Sequence, residues 1–269
     1  TRYWRDWSSD VCSSDLLEIG AEIQRRLLPR QCPNIPGLSI AARCKPANRV
    51  GGDYYDFIPT KPHPKQAMAR PPLGSENASW GLVIGDVMGK GVPAGLIMTM
   101  LRGMLRGEVL HGNTPAGILQ NLNRVMYADL ENSHRFVTMF YSEYDPKTRI
   151  LSYSNAAHNP PLWWHVATKT VTRLDTLGML IGLDANSEYQ DAQAQLEVGD
   201  IVIYYTDGLT DAAAAGGDRF HEDNFITSFR TACKYCNSSQ EILEYLFDQV
   251  EKFIGTDRQN TDDMTLVVL

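Results

Sequence analysis

Four runs in this chain set aspartates at the ends of apolar, strand-like stretches. They are Val50-Gly51-Gly52-Asp53, Val83-Ile84-Gly85-Asp86, Tyr204-Tyr205-Thr206-Asp207-Gly208 and Asn260-Thr261-Asp262-Asp263, the last lying directly before Met264-Thr265-Leu266. A fifth acid, Asp56, follows closely on the first run. Strand ends that meet bring their carboxylates together, and carboxylates repel unless strong positive charge sits between them. Hard divalent cations such as Mg²⁺ and Mn²⁺ take all-oxygen ligands, and no His or Cys interrupts these runs. The arrangement therefore predicts a metal site.

Composition narrows the class of molecule. The net charge of −7 and pI near 5.4 argue against a nucleic-acid or anionic-membrane surface. No apolar run approaches the roughly 20 residues that span a bilayer. Five cysteines at irregular spacing suggest no disulfide framework. A cytoplasmic protein is expected. Cys233-Lys-Tyr-Cys236 has the spacing of a redox or zinc pair, but no second pair completes a zinc site and no strand is expected before it. Chance spacing is the preferred reading.

The chain does not begin with Met, so a fragment is expected. Residues 1–15 repeat Ser-Ser-Asp, show no helical or strand period, and read as a non-native, tag-like segment. Residues 16–29 form a linker or regulatory helix: Leu16, Ile19, Ile23 and Leu27 share one face, and Pro29 stops it. That helix either packs on its own domain or ends a longer coiled coil from an upstream sensor. Residues 30–269 form one domain. Strands are expected at 38–44, 54–58, 80–86, 136–144, 150–155, 161–166, 199–206 and 264–269. Helices are expected after Gly91, from Thr114-Pro115 and from Ser238. Residues 61–79 read as a proline-rich surface loop, and the alanine- and glycine-rich stretch from Asp211 to Glu222 as mobile. Of Trp163 and Trp164, one ring is expected in the core and one outside. Strands flanking clustered helices predict an α+β fold of antiparallel sheets covered by helices.

In Gly85-Asp86-Val87-Met88-Gly89-Lys90-Gly91, the glycines let backbone approach an ion closely. Asp86 can then bridge two cations while the Val87 carbonyl adds an oxygen. The plainer reading is a tight turn capping the next helix. His158 offers a general acid for a leaving oxygen; alternatively, Asn155 and His158 pin the turn into Pro160-Pro161, which is the preferred reading. Arg49 and Lys90 lie nearest the acidic runs as phosphate-binding cations, although surface Arg and Lys are commonly just solvated.

The four runs, in this order, resemble the metal-dependent protein serine/threonine phosphatases of the protein phosphatase 2C class, in their bacterial SpoIIE/RsbU-like branch. Supporting matches are Ala21-Glu-Ile-Gln-Arg-Arg-Leu-Leu-Pro29, Phe136-Val-Thr-Met-Phe-Tyr141, Ser154-Asn-Ala-Ala-His-Asn-Pro-Pro161 and Leu180-Ile-Gly-Leu183. The resemblance runs from about residue 17 to the C-terminus. It implies a four-layer αββα sandwich of two antiparallel sheets flanked by helices, with two divalent cations, Mn²⁺ or Mg²⁺, at one edge. Asp86 would bridge the cations, Val87 would give its carbonyl, and Asp207 and Asp262 would complete one ion's ligands. Asp53 would hold waters around the ions, with Asp263 and Asp56 as helpers. An activated water would attack phosphorus in line. Met88 and Ala157 depart from the family pattern, which bears on loop shape and leaves the ligand acids complete. The implied substrate is a phosphorylated anti-sigma-factor antagonist, with the N-terminal helix coupling an absent sensor to the site and offering a surface for a homodimer. Two rivals stand beside this reading: a catalytically silent protein-binding module of the same fold, and a different two-metal hydrolase such as a phosphodiesterase or nuclease, for which histidines and a basic groove would be expected.

Overall fold

The computed structural model describes residues 9–60, 78–131, 133–255, 258 and 260–269. In chain order the elements are α1 (Ser9–Leu27), β1 (Ala41–Lys45), β2 (Tyr54–Pro59), β3 (Trp80–Val87), α2 (Val92–Val109), α3 (Pro115–Leu130), β4 (Val137–Asp145), β5 (Ile150–Ala156), β6 (Leu162–His165), β7 (Thr170–Arg173), β8 (Ala192–Gln195), β9 (Ile201–Tyr205), α4 (Asp207–Thr210), α5 (Glu222–Tyr235), α6 (Ser239–Ile254) and β10 (Met264–Val268). Two five-stranded sheets result, in the orders β1-β10-β9-β6-β7 and β2-β3-β4-β5-β8. Every strand pairing is antiparallel.

Three apolar layers hold the sandwich. Between the sheets lie Phe57, Leu82, Ile84, Phe140, Tyr204 and Val267. Helices α2 and α3 bury Met98, Leu101, Leu119 and Leu122 against the sheet that contains β3 and β4. Helices α5 and α6 bury Phe225, Phe229, Leu243 and Leu246 against the other sheet. This is a helix–sheet–sheet–helix stack, the solution available when each sheet has two apolar faces to cover.

Local chemistry sets the boundaries. Thr114 caps α3 by accepting from the Gly117 amide at 3.2 Å, with Pro115 in the first turn. Ser238 does the same for α6 through the Glu241 amide at 3.2 Å, and Glu241 reaches back to the Asn237 amide at 2.8 Å. The β4–β5 hairpin turns at Asp145, whose side chain accepts from the Lys147 amide at 2.9 Å.

The elements differ from the sequence expectation in five places. Helix α1 begins at Ser9, inside the stretch expected to lack regular structure. Strands β7 and β8 are additional; both are four residues long and carry few apolar side chains. Helix α5 is additional too: only Phe225, Phe229 and Ala232 of it are buried, and no side chain caps its start. The stretch from Asp211 to Glu222 is built around a bridge between Ala213 and Arg219, with Ala212 and Phe220 buried. Trp163 does not face outward: it packs against the intersheet core and donates to Asp200 at 3.0 Å, while Trp164 is buried on the opposite face. The expected loop at 61–79 lies outside the described residues except for its last two positions. Among the described residues, no helix is long and apolar enough to cross a membrane.

Candidate metal centre

The acidic runs meet where the two sheets come together at one edge. Asp86 ends β3 of one sheet; Asp207 follows β9, and Asp262 precedes β10, in the other. Asp53 comes in on the connection before β2. Glycines make the approach possible. A Cβ at Gly52 would stand 2.7 Å from the Val87 carbonyl oxygen and 3.2 Å from Asp86 Oδ1, so these two oxygens share a hollow that a side chain would fill. A Cβ at Gly208 would stand 1.9 Å from the Asp263 carbonyl oxygen.

Convergence shows in the electrostatics. Burial, then the charges of Asp207, Asp262 and Asp263, push the Asp86 carboxyl up to about 8. Burial, then Asp86 and Asp263, raise Asp53 well above the ordinary carboxyl range. Burial, then Asp262 and Asp211, raise Asp207. Carboxylates so placed favour a bound proton or a bound cation. Among the described residues, no three His, Cys, Asp or Glu side chains close on one point as a finished cation site. The donor set of Asp86, Asp207, Asp262 and the Val87 carbonyl is oxygen only, which suits Mg²⁺ or Mn²⁺ rather than zinc.

The other predicted residues take distinct places. Asp53 is 2% exposed and its Oδ2 accepts from Thr265 Oγ1 at 2.6 Å and Thr206 Oγ1 at 2.8 Å. Asp263 holds the first acidic loop: its oxygens accept from the amides of Ala47 at 2.7 Å and Gly52 at 2.6 Å. Asp56 does not join the cluster. It turns to α2, where Arg106 grips it through Nε and Nη2, both at 2.7 Å. Asn155 and His158 form a closed turn: the His158 amide donates to Asn155 Oδ1 at 2.9 Å, and Asn155 Nδ2 donates to the His158 carbonyl at 2.9 Å. The His158 ring is 3% exposed, with Nδ1 at 2.8 Å from Thr138 Oγ1, and burial pushes its pKa down to about 4. A buried, neutral imidazole bonded to Thr138 of β4 fits the turn-pinning reading.

Of the two predicted cations, Lys90 Nζ donates to the Thr261 carbonyl at 2.9 Å, strapping the turn after Asp86 to the loop that carries Asp262. Arg49 lies in the wall of a cavity of about 560 Å³ beside Asp262, together with Lys45 and Arg258, and pairs with Glu18 of α1 at 3.5 Å.

Several participants were not singled out in the sequence. Thr206 and Thr265 were visible only as members of the runs, and their pairing across β9 and β10 depends on register. Arg135 donates Nη1 to the Met88 carbonyl at 2.9 Å and lies over Gly89, bringing a guanidinium to the turn after Asp86. Gln24 of α1 clasps Gly51 in both directions, donating to its carbonyl at 2.7 Å and accepting from its amide at 2.9 Å. Asn260 ties its loop to α4 through the Gly208 carbonyl at 2.9 Å.

Known proteins resemble this chain in sequence and in fold. The sequence profile of Stage II sporulation protein E (SpoIIE) matches residues 76–269. Phosphoserine phosphatase RsbU of Bacillus subtilis is 31% identical over 255 residues, covering 94% of this chain and 69% of that protein. The SiaA-PP2C domain of Pseudomonas aeruginosa superposes with a TM-score of 0.79 at 22% identity, over 97% of this chain and 98% of that domain. RsbX, solved in complex with magnesium, superposes with a TM-score of 0.56 at 15% identity, over 86% of this chain and 94% of that one. With its acids on the seam of a two-sheet sandwich and a family match over most of its length, the chain belongs to the SpoIIE family of PP2C-type serine phosphatases, in its RsbU-like branch.

Proposed function

We propose that this chain removes phosphate from phosphoserine or phosphothreonine of a protein, using two Mn²⁺ or Mg²⁺ ions. Asp86, the Val87 carbonyl, Asp207 and Asp262 would hold the ions. The observation that carries this reading is the meeting of acids from both sheets around Asp86, where burial first and the neighbouring carboxylates second raise its pKa and that of Asp53. Divalent cations in such a place supply Lewis acidity and offset the charge of a transferring phosphoryl group. The chain's own groups do the rest. Thr206 and Thr265 fix Asp53, Asp263 fixes the loop on which Asp53 stands, and Lys90 and Asn260 keep the Asp262 loop against its neighbours. Arg49, Arg258 and Lys45 give the adjoining cavity a positive wall for a phosphorylated segment.

The substrate class we favour is a phosphorylated anti-sigma-factor antagonist, in keeping with the RsbU-like branch. Helix α1 would report the state of a sensor. Its Gln24 is anchored to the loop before Asp53, while Leu16, Ile19 and Ile23 face solvent at 65%, 53% and 55% exposure, a stripe suited to a second α1 in a homodimer. Such control acts by shifting populations between conformations of the metal site.

The test is hydrolysis of an aryl phosphate against Mn²⁺ concentration, in wild type and Asp86→Asn. Metal-dependent turnover that the variant loses is the expected result. Absence of both turnover and Mn²⁺ binding in the wild type would overturn the reading in favour of a silent binding module. Removal of residues 1–28 is expected to change metal affinity or turnover; an unchanged enzyme would dismiss the coupling role of α1.

A further inference from the structure

Where α1 meets α2, positive charge collects beside β2. A cavity of about 320 Å³ is lined there by Arg26, Arg30, Arg102 and Arg106, with Asp56 the single acid among the described lining residues. Asp56 is 1% exposed and fully engaged: it accepts from Arg106 twice at 2.7 Å, from the Tyr54 hydroxyl at 2.9 Å and from the Phe57 amide at 2.9 Å. Four hydrogen bonds fill the acceptor positions of a carboxylate. Arg102 reaches that carboxylate only as a loose ion pair: its Nε stands 3.7 Å from Asp56, too far to hydrogen-bond, and that nitrogen is buried without a hydrogen-bond partner among the described residues. Arg30 makes no ion pair among the described residues. Among the described residues, Arg26 is paired only along its own helix, with Glu22.

In a chain with a net charge of −7, Asp56 and Glu22 offset two of the four arginines, which leaves a local excess of cation that solvent alone would have to neutralise. We propose that this cavity binds a small oxyanion of the phosphate class, separately from the metal centre. Guanidinium forks approach from two sides, Arg26 and Arg30 from the α1 side and Arg102 and Arg106 from α2. A multiply charged tetrahedral anion can meet several forks at once, whereas a monocarboxylate offers two oxygens and one charge. When occupied, the site fastens the end of α1 to the C-terminal half of α2. None of Asp53, Asp86, Asp207 or Asp262 lines it.

The experiment uses sulfate as the probe, because inorganic phosphate is a product of the proposed reaction and would also enter the catalytic cleft. The full chain is titrated with sodium sulfate, and with sodium chloride at matched ionic strength, while the NMR signals of the arginine Nε–H groups are followed. A saturable shift of the Arg102 signal in sulfate only, retained in Asp86→Asn and weakened about tenfold or more in Arg30→Gln, is the expected outcome. Arg30 is exposed, so that variant tests the site without disturbing the core; Arg102→Met is the stronger but riskier companion. No saturation, an equal response to chloride, or a response abolished by Asp86→Asn with Arg30→Gln unaffected would each overturn the site. The readout is binding and not turnover, so the result stands apart from the phosphatase assay.

Discussion

Gly208 has no space for even a methyl group, because the Asp263 carbonyl oxygen would lie 1.9 Å from it. Gly208→Ala must therefore push the Asp207 turn away from the Asp262 loop. Overpacking of this kind costs about 1–3 kcal/mol, and a lower urea midpoint together with lost Mn²⁺-dependent turnover is expected. Thr265→Val removes the 2.6 Å hydrogen bond to the buried Asp53 carboxyl and leaves Thr206 as its remaining hydroxyl partner. A loss of about 1–3 kcal/mol is expected in chemical denaturation, with weaker apparent metal affinity. Glu143 makes a different case, far along β4. Burial pushes its carboxyl up to about 7, although Tyr141 donates to it at 2.9 Å. A carboxyl raised on folding contributes stability that is complete below its unfolded pKa of about 4.3 and is lost as pH rises through about 7. Glu143→Gln should gain on wild type between about pH 5 and about pH 8 in urea midpoint; a constant difference would refute this. The acids of the site were legible in the sequence because each sits at the end of an apolar, strand-like run, with a glycine beside Asp53, Asp86 and Asp207. Thr265, Gln24 and Arg135 were not, because their partners lie far off in sequence and are reached only through strand register or helix packing.

At the scale of elements, α1 is the one whose position touches the site without belonging to the sandwich. Gln24→Ala cuts both hydrogen bonds to Gly51 and frees the loop leading to Asp53. Apparent Mn²⁺ affinity in the aryl phosphate assay is expected to fall severalfold, with little change in the melting temperature of the remaining fold. Equal metal titration curves would contradict this. The strongly apolar strands β3, β4, β5 and β9 could be read from composition alone, and so could α3 and α6, whose caps are explicit. Helix α5 escaped because its buried face is only three residues wide, and β7 and β8 because strands of four mostly polar residues carry no period. Their places are set by neighbours already in the sheet, which a local pattern does not record.

For the molecule as a whole, protons and cations compete for the same oxygens. Asp86, with its carboxyl near 8, favours the proton below that value and the cation above it. Mn²⁺ should raise the melting temperature more at about pH 8 than at about pH 6, and chelation should remove the gain at both. A gain independent of pH would place the cation elsewhere. The seam on which these acids stand has a further consequence. Asp86 is carried by one sheet and Asp207 and Asp262 by the other, with the Phe140–Tyr204 ring pair, 5.5 Å between centroids, packed between them. The centre therefore works as a caliper whose two jaws are whole sheets. Side chains can change freely on either jaw as long as the gap is kept, and a substitution that widens the gap by one methylene silences the chemistry from a distance.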